Sequence, residues 1–193
     1  MYFFHFIDKT KLESILETGI LPEDSYRGKG ILLYPDIDIK FRCKGTDPHL
    51  LKEELELNQM AHFDKWKLIA TLGLKQKNKI IAAVKIQLDK TNWPLNVFID
   101  IHSEIAKDFA QLYDRSNLNA VKLEAGETYS NFIESIESPR FVLEENFTVH
   151  SKEELNTLIF LFQKAGGGIW GAHSFDCLTN KRIDSKHILE IVN

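Results

Sequence analysis

Basic and aromatic residues are interleaved between residues 27 and 44, and this pattern is suited to binding phosphate. Arginine and lysine attract phosphate groups, and aromatic rings stack on bases, so the pattern is typical of a pyrophosphate site or a nucleic-acid surface. The net charge of −4 weakens the case for nucleic acid. Solvated charges on helix faces are the alternative interpretation. The residues concerned are Arg27, Lys29, Tyr34, Lys40, Phe41, Arg42 and Lys44.

A glycine-rich run, AGGGIWG, occupies residues 165–171. Glycine-rich turns expose backbone N–H groups that can hold a phosphate. Trp170, within this run, could stack on a base or fill part of the core. The run therefore favours a phosphate-bearing ligand, with a plain connector between a helix and the last strand as the alternative.

Several common catalytic motifs are missing from the sequence. Cys43 and Cys177 lie far apart without metal-type spacing, and the seven histidines form no paired ligand motif, so we expect no metal. There is no nucleophile elbow, no P-loop and no dinucleotide-binding glycine motif. The apolar start lacks the pattern of a signal peptide, and no apolar run is long enough to span a membrane. We therefore expect a cytoplasmic protein with free thiols and no membrane contact.

The first 35 residues predict a strand, a helix and a second strand. Residues 2–7 form an apolar run that carries His5 and reads as a strand. Thr10 and Glu13 form a capping box, so a helix is expected there, and it should end at Gly19. Residues 23–30 are polar and glycine-containing, which predicts a mobile loop. The next strand, residues 31–34, ends in Tyr34.

The rest of the chain alternates between helical and extended patterns without a repeat or a linker. This mixed order predicts a single α+β domain over residues 1–193 rather than a doubly wound sheet. A last short helix capped by Ser185 is expected to carry Ile188 and Ile191. The predicted helices are 48–62, 64–74, 103–115, 128–137 and 151–164, and the predicted strands are 79–88, 95–101, 140–149 and 175–178.

Two blocks resemble the diphtheria-toxin-like ADP-ribosyltransferase superfamily, especially its small bacterial and DNA-targeting toxin members. The run HFIDKTKLESILETGIL, residues 5–21, followed by GILLYP, residues 30–35, is similar to the opening of these proteins. The run FDCLTNKRIDSKHILEIV, residues 175–192, resembles their last strand and turn. The resemblance implies an α+β fold of split antiparallel sheets with flanking helices.

The resemblance also implies a site and an activity. In it His5 would hydrogen-bond the NAD ribose, Tyr34 would pack near the nicotinamide, and Asp176 would stand at the position of the catalytic acid. A carboxylate there would stabilise the positive charge that develops on the sugar. The implied function is transfer of ADP-ribose from NAD to nucleic acid or protein. Further contacts to NAD are expected from Phe6, Arg27 and Arg42.

This chain departs from the family pattern at two positions. Ile7 replaces a common threonine, and Asp176 replaces glutamate, so the carboxylate is about 1.5 Å shorter in reach. A misplacement of about 1 Å can lower a rate about 100-fold. The fallback acids are Glu137, Glu144 and Glu145.

Two alternatives to the transferase follow. One is a catalytically impaired module of the same fold that binds a nucleotide or ADP-ribose. The other is an interaction effector that uses the acidic region of residues 100–154, where 12 acidic residues stand against 5 basic ones.

Overall fold

A computed structural model describes residues 1–25, 27–38, 40, 48–73, 81–123, 127–128, 142–167 and 175–192. These residues form a mixed α+β structure, as the sequence predicts. Its strands are β1 (Phe3–Asp8), β2 (Glu23–Ser25), β3 (Gly28–Pro35), β4 (Ile81–Ile86), β5 (Leu95–His102), β6 (Val121–Leu123), β7 (Glu127–Thr128), β8 (Val142–Val149), β9 (Phe175–Thr179) and β10 (Ile188–Val192). Its helices are α1 (Leu12–Thr18), α2 (Pro48–Gln59), α3 (His62–Gly73), α4 (Ser103–Asp114) and α5 (Lys152–Lys164).

The strands form one antiparallel sheet in the order β10-β4-β1-β3-β9-β5-β8-β6. Two short strands lie off this path, with β2 paired to β3 and β7 paired to β8. β1 pairs with β4 along six residues but meets β3 only at Phe3–Pro35 and Phe4–Tyr34. The earlier part of β3 pairs instead with β2 and β9. The sheet is therefore joined only narrowly between β1 and β3. The arrangement of split sheets that the family resemblance implies stays a prediction.

Aromatic side chains fill the space between this part of the sheet and helix α3. The rings of Phe4 and Phe63 lie 5.0 Å apart, and Tyr34 contacts both Phe6 at 5.5 Å and Trp66 at 5.4 Å. Edge-to-face and tilted pairs at these distances add to the gain from burial. The chain has 13 phenylalanines, and several of them lie in the core. This packing holds β1 and β3 against α3.

Helices α4 and α5 pack together against the other half of the sheet. The rings of Phe109 and Phe147 are 6.0 Å apart, and those of Phe162 and Phe175 are 5.6 Å apart. Helix α5 begins where the sequence predicts, because Ser151 Oγ accepts a hydrogen bond from the backbone N–H of Glu154. The carboxylate of Glu154 reaches back to the N–H of His150, one residue before the cap.

Two predictions near the amino terminus are wrong in detail. Thr10 is not a helix cap: its N–H and hydroxyl both donate to Asp8, which caps a short 3-10 turn before α1. The polar segment of residues 23–30 is not a loop, because β2 and the start of β3 form a hairpin there. Polar side chains and glycines mark this hairpin as exposed, so its strand pairing left little hydrophobic signal in the sequence.

The predicted last helix is also wrong. Ser185–His187 is a single 3-10 turn, and Ile188 and Ile191 lie in strand β10. The i, i+3 spacing of the two isoleucines mimics a helical face. Pairing with β4 decides the conformation, and a register shift between Ile188 and Glu190 sets the spacing. Of the predicted helix 128–137, only Thr128 lies within the described residues, and there it belongs to β7.

Candidate functional site

Three residues singled out by the sequence lie on three neighbouring strands. His5 is in β1, Tyr34 is in β3 and Asp176 is in β9, and these strands are adjacent in the order β1-β3-β9. Residues separated by up to 171 positions in the chain are therefore brought into one region of the sheet. Their side chains do not all point the same way, so each is described in turn.

His5 lies where β1 and β3 stop pairing. It falls between Phe4 and Phe6, whose rings pack beside α3, so strand alternation turns the His5 ring away from that side. Its Nδ1 donates to the backbone carbonyl of Leu32 at 2.8 Å, across the gap to β3. Burial lowers the pKa of His5 below its ordinary value, and the Leu32 hydrogen bond and the nearby Glu23 carboxylate oppose this only in part. His5 is thus a half-buried, structurally engaged imidazole.

Tyr34 is a core residue. Only 2% of its surface is exposed, because its ring is held between Phe6 and Trp66. Phe6, the other aromatic residue expected to contact NAD, is 7% exposed. In this conformation neither ring presents a face on which a nicotinamide could stack.

Asp176 is fully buried and engaged by Arg27. Its Oδ2 accepts a hydrogen bond from Arg27 Nε at 3.0 Å, and its exposed fraction is 0%. In the register of β9 with β5 it stands opposite Phe98. Arg27 comes from the hairpin that joins β2 to β3, and its side chain reaches from there onto the sheet.

Asp100 and Phe98, which no sequence pattern indicated as site residues, complete this cluster. Arg27 Nη2 donates to both carboxylate oxygens of Asp100, at 3.2 and 3.1 Å. The Arg27 guanidinium also lies 5.0 Å from the ring centre of Phe98, a cation–π distance. Alternation in β5 was the available signal: with Leu95, Val97, Ile99 and Ile101 buried, Phe98 and Asp100 had to share the opposite face.

The cluster sets one positive charge against two negative charges in a mostly dry setting. One arginine, with its side chain 8% exposed, serves two carboxylates, and such charge-assisted bonds are stronger than neutral ones. Removing one partner of a buried pair typically costs about 3–5 kcal/mol, because the other charge is left uncompensated. As it stands the arrangement fastens the hairpin to β5 and β9.

In this arrangement most of the residues expected to contact NAD are engaged elsewhere or buried. Arg27, expected at the pyrophosphate, is committed to carboxylates, while Asp176 and Tyr34 are buried. A ribose hydroxyl could not reach Asp176 Oδ2 without displacing the guanidinium. Binding of NAD at these residues therefore requires the hairpin to move.

The other residues that the sequence indicates differ in where they lie. Arg42 and Glu137 lie outside the described residues. In the register of β5 with β8, Glu144 stands opposite Asp100 and Glu145 opposite Ile99. Cys177 is buried, and its burial raises the pKa of the thiol well above the usual range, which disfavours the reactive thiolate.

Two further observations apply to the described part of the chain. It holds no group of three or more histidine, cysteine, aspartate or glutamate side chains arranged for a metal ion. It also contains no helix that is both long and apolar enough to cross a membrane.

No protein-family model, curated protein or solved structure matches this chain.

Proposed function

We propose that this chain is an NAD-binding domain of the ADP-ribosyltransferase type. The observation that carries the proposal is the placement of His5, Tyr34 and Asp176 on the adjacent strands β1, β3 and β9. The narrow joint between β1 and β3 supports it further, because His5 lies where the two strands stop pairing. Binding is the primary activity in this proposal, and transfer to nucleic acid or protein is secondary.

The state of Asp176 is the reason for placing binding before transfer. A carboxylate that accepts a hydrogen bond from a buried arginine is not available to stabilise charge on a sugar. Transfer would need Asp176 to be released, so the closed arrangement corresponds to the catalytically impaired alternative. Release of nicotinamide distinguishes the two activities directly.

Binding is tested by calorimetry and thermal unfolding of the full chain with NAD, ADP-ribose and, as a control, guanosine diphosphate. NAD and ADP-ribose should both raise the melting temperature, by a stabilisation of about 2.7 kcal/mol at 100 times Kd. His5→Ala should weaken both, whereas His150→Ala, at an exposed position, should not. A melting temperature that neither ligand changes at millimolar concentration refutes the proposal.

Transfer is tested by incubating the chain with labelled NAD and a cell lysate while following free nicotinamide. If the wild type releases nicotinamide and a folded Asp176→Asn variant does not, Asp176 is catalytic. If neither releases any, while NAD still binds, the chain is a binding module.

A further inference from the structure

We propose that the β2–β3 hairpin is an autoinhibitory strap, which Arg27 fastens over Asp176. The strap comprises described residues 21–25 and 27–29. This inference rests on the proposed function and deepens it, because it gives the reason why the site is closed and the contact that must break to open it. Asp100 acts in it as a positioning residue that holds Arg27 in place.

Both ends of the strap are fixed. Ile20 and Ile183 exchange two backbone hydrogen bonds, of 2.7 and 3.0 Å. At the other end Gly30 lies so close to β9 that an added Cβ would stand 2.7 Å from the Leu178 side chain. Residues 21–25 and 27–29 lie between these two fixed points, so their movement is hinged at Ile20 and Gly30.

The strap itself is lightly packed. Residues 23, 24, 28 and 29 are exposed, and a Cβ added at Gly28 would meet no atom within 4 Å. The ion pair between Lys11 and Glu23 is open to solvent, so it contributes little. Among the described contacts, the bonds of Arg27 to Asp100 and Asp176 are the buried ones.

Asp176 is both the candidate acid and one of the two carboxylates that hold Arg27 in place. Opening the strap withdraws the guanidinium from Asp176 Oδ2 and from the face of Phe98, and so exposes both to a ligand. A fastening made of charges can be released without unfolding the sheet, because β3 stays paired with β9 at Ile31–Leu33. The strap therefore couples access to Asp176 to the integrity of one arginine cluster.

Asp100→Asn is the informative variant, because it weakens the fastening while Arg27 still neutralises Asp176. Arg27→Ala would remove the guanidinium from both carboxylates and risks misfolding. Asp184→Asn is the matched control, since Asp184 forms exposed ion pairs with Arg182 and Lys186. Hydrogen exchange at residues 23–25 and 27–29 is measured against the amides of Leu32 and Leu33 in the same chain.

In Asp100→Asn the strap amides should exchange about tenfold faster, which corresponds to about 1.4 kcal/mol, while Leu32, Leu33 and the Asp184→Asn control stay unchanged. NAD should bind Asp100→Asn more tightly than wild type. Unchanged exchange overturns the strap, and faster exchange with equal NAD affinity in both proteins overturns its autoinhibitory role. Absence of NAD binding in wild type and in the fast-exchanging variant overturns the proposed function and, with it, the autoinhibitory role.

Discussion

At the scale of single residues, partners decide what a charged side chain can do. Arg27 lies in a basic stretch that favours phosphate, yet its guanidinium contacts two carboxylates and a phenylalanine ring. The sequence identified the residue and its charge but not its partners, because Asp100 and Asp176 are 73 and 149 positions away. Pairings of that span follow from strand order, which local patterns do not encode.

His5 makes stability depend on pH. Burial lowers its pKa below the ordinary value of 6.5, so the unfolded chain binds a proton more readily than the folded one. Above pH 6.5 this difference in proton binding has no effect on stability. As the pH falls below 6.5, the unfolded chain takes up the proton first, so the folded state loses stability. We expect wild type to lose more stability between about pH 7 and about pH 5 than His5→Asn does. Denaturant midpoints across this range provide the measurement.

The control for this experiment is His150→Asn, at an exposed position. It should keep the wild-type slope of stability against pH. Equal slopes for wild type and His5→Asn would show that His5 does not take up its proton on unfolding.

At the scale of elements, two glycines with positive φ allow the cost of backbone strain to be measured apart from the cost of steric crowding. Gly19 has φ +82°, and an added Cβ would stand 2.4 Å from the Ile183 carbonyl oxygen. Gly28 has φ +104° with open space around it. Gly28→Ala should therefore cost only the strain, about 1–3 kcal/mol. Gly19→Ala should cost at least about 1 kcal/mol more, because the backbone must also move.

Urea unfolding of the two variants beside wild type measures this difference. If Gly19→Ala were as stable as Gly28→Ala, the contact between the end of α1 and Ile183 would not be close. The sequence anticipated Gly19 at the end of α1, since glycine is common after helices. It did not anticipate Ile183, which reaches Gly19 from the far end of the chain.

Elements were predictable where the local pattern and the tertiary pairing agree. Helix α5 has both a cap and an apolar face, and strand β5 alternates clearly, so both were placed within two residues. Strands β2 and β10 were not predicted, because they are short and mostly exposed. In such segments sheet pairing decides the conformation, and burial periodicity carries little signal.

At the scale of the whole molecule, position in the sheet should decide tolerance to truncation. β1 lies inside the strand order, between β4 and β3, whereas β10 lies at its end. Deleting residues 2–8 should abolish cooperative unfolding, because it removes buried Phe3, Phe4 and Phe6 and leaves two strand edges. Deleting residues 188–193 should lower stability but keep a cooperative transition. Circular dichroism during thermal unfolding distinguishes the two.

The fold class was predictable from the sequence, but the order of the strands in the sheet was not. Mixed spacing of helices and strands indicated α+β, and the buried side chains from Phe3 to Ile183 form one core cluster. Strand order is different: β9 lies between β3 and β5, although about 70 residues or more separate it from either in sequence. No local sequence pattern indicates that strands so far apart in the chain are neighbours in the sheet.

The position of β9 has a consequence for how the chain folds during synthesis. β3 and β5 cannot join until residues 175–179 have left the ribosome, since β9 pairs with both. Until then each keeps an open edge beside apolar residues, a state in which chains aggregate. Pairings this distant also slow folding itself. Completion of the sheet therefore waits for β9, which follows eight of the other described strands in the chain. A chain stopped before β9 would keep open strand edges that favour aggregation.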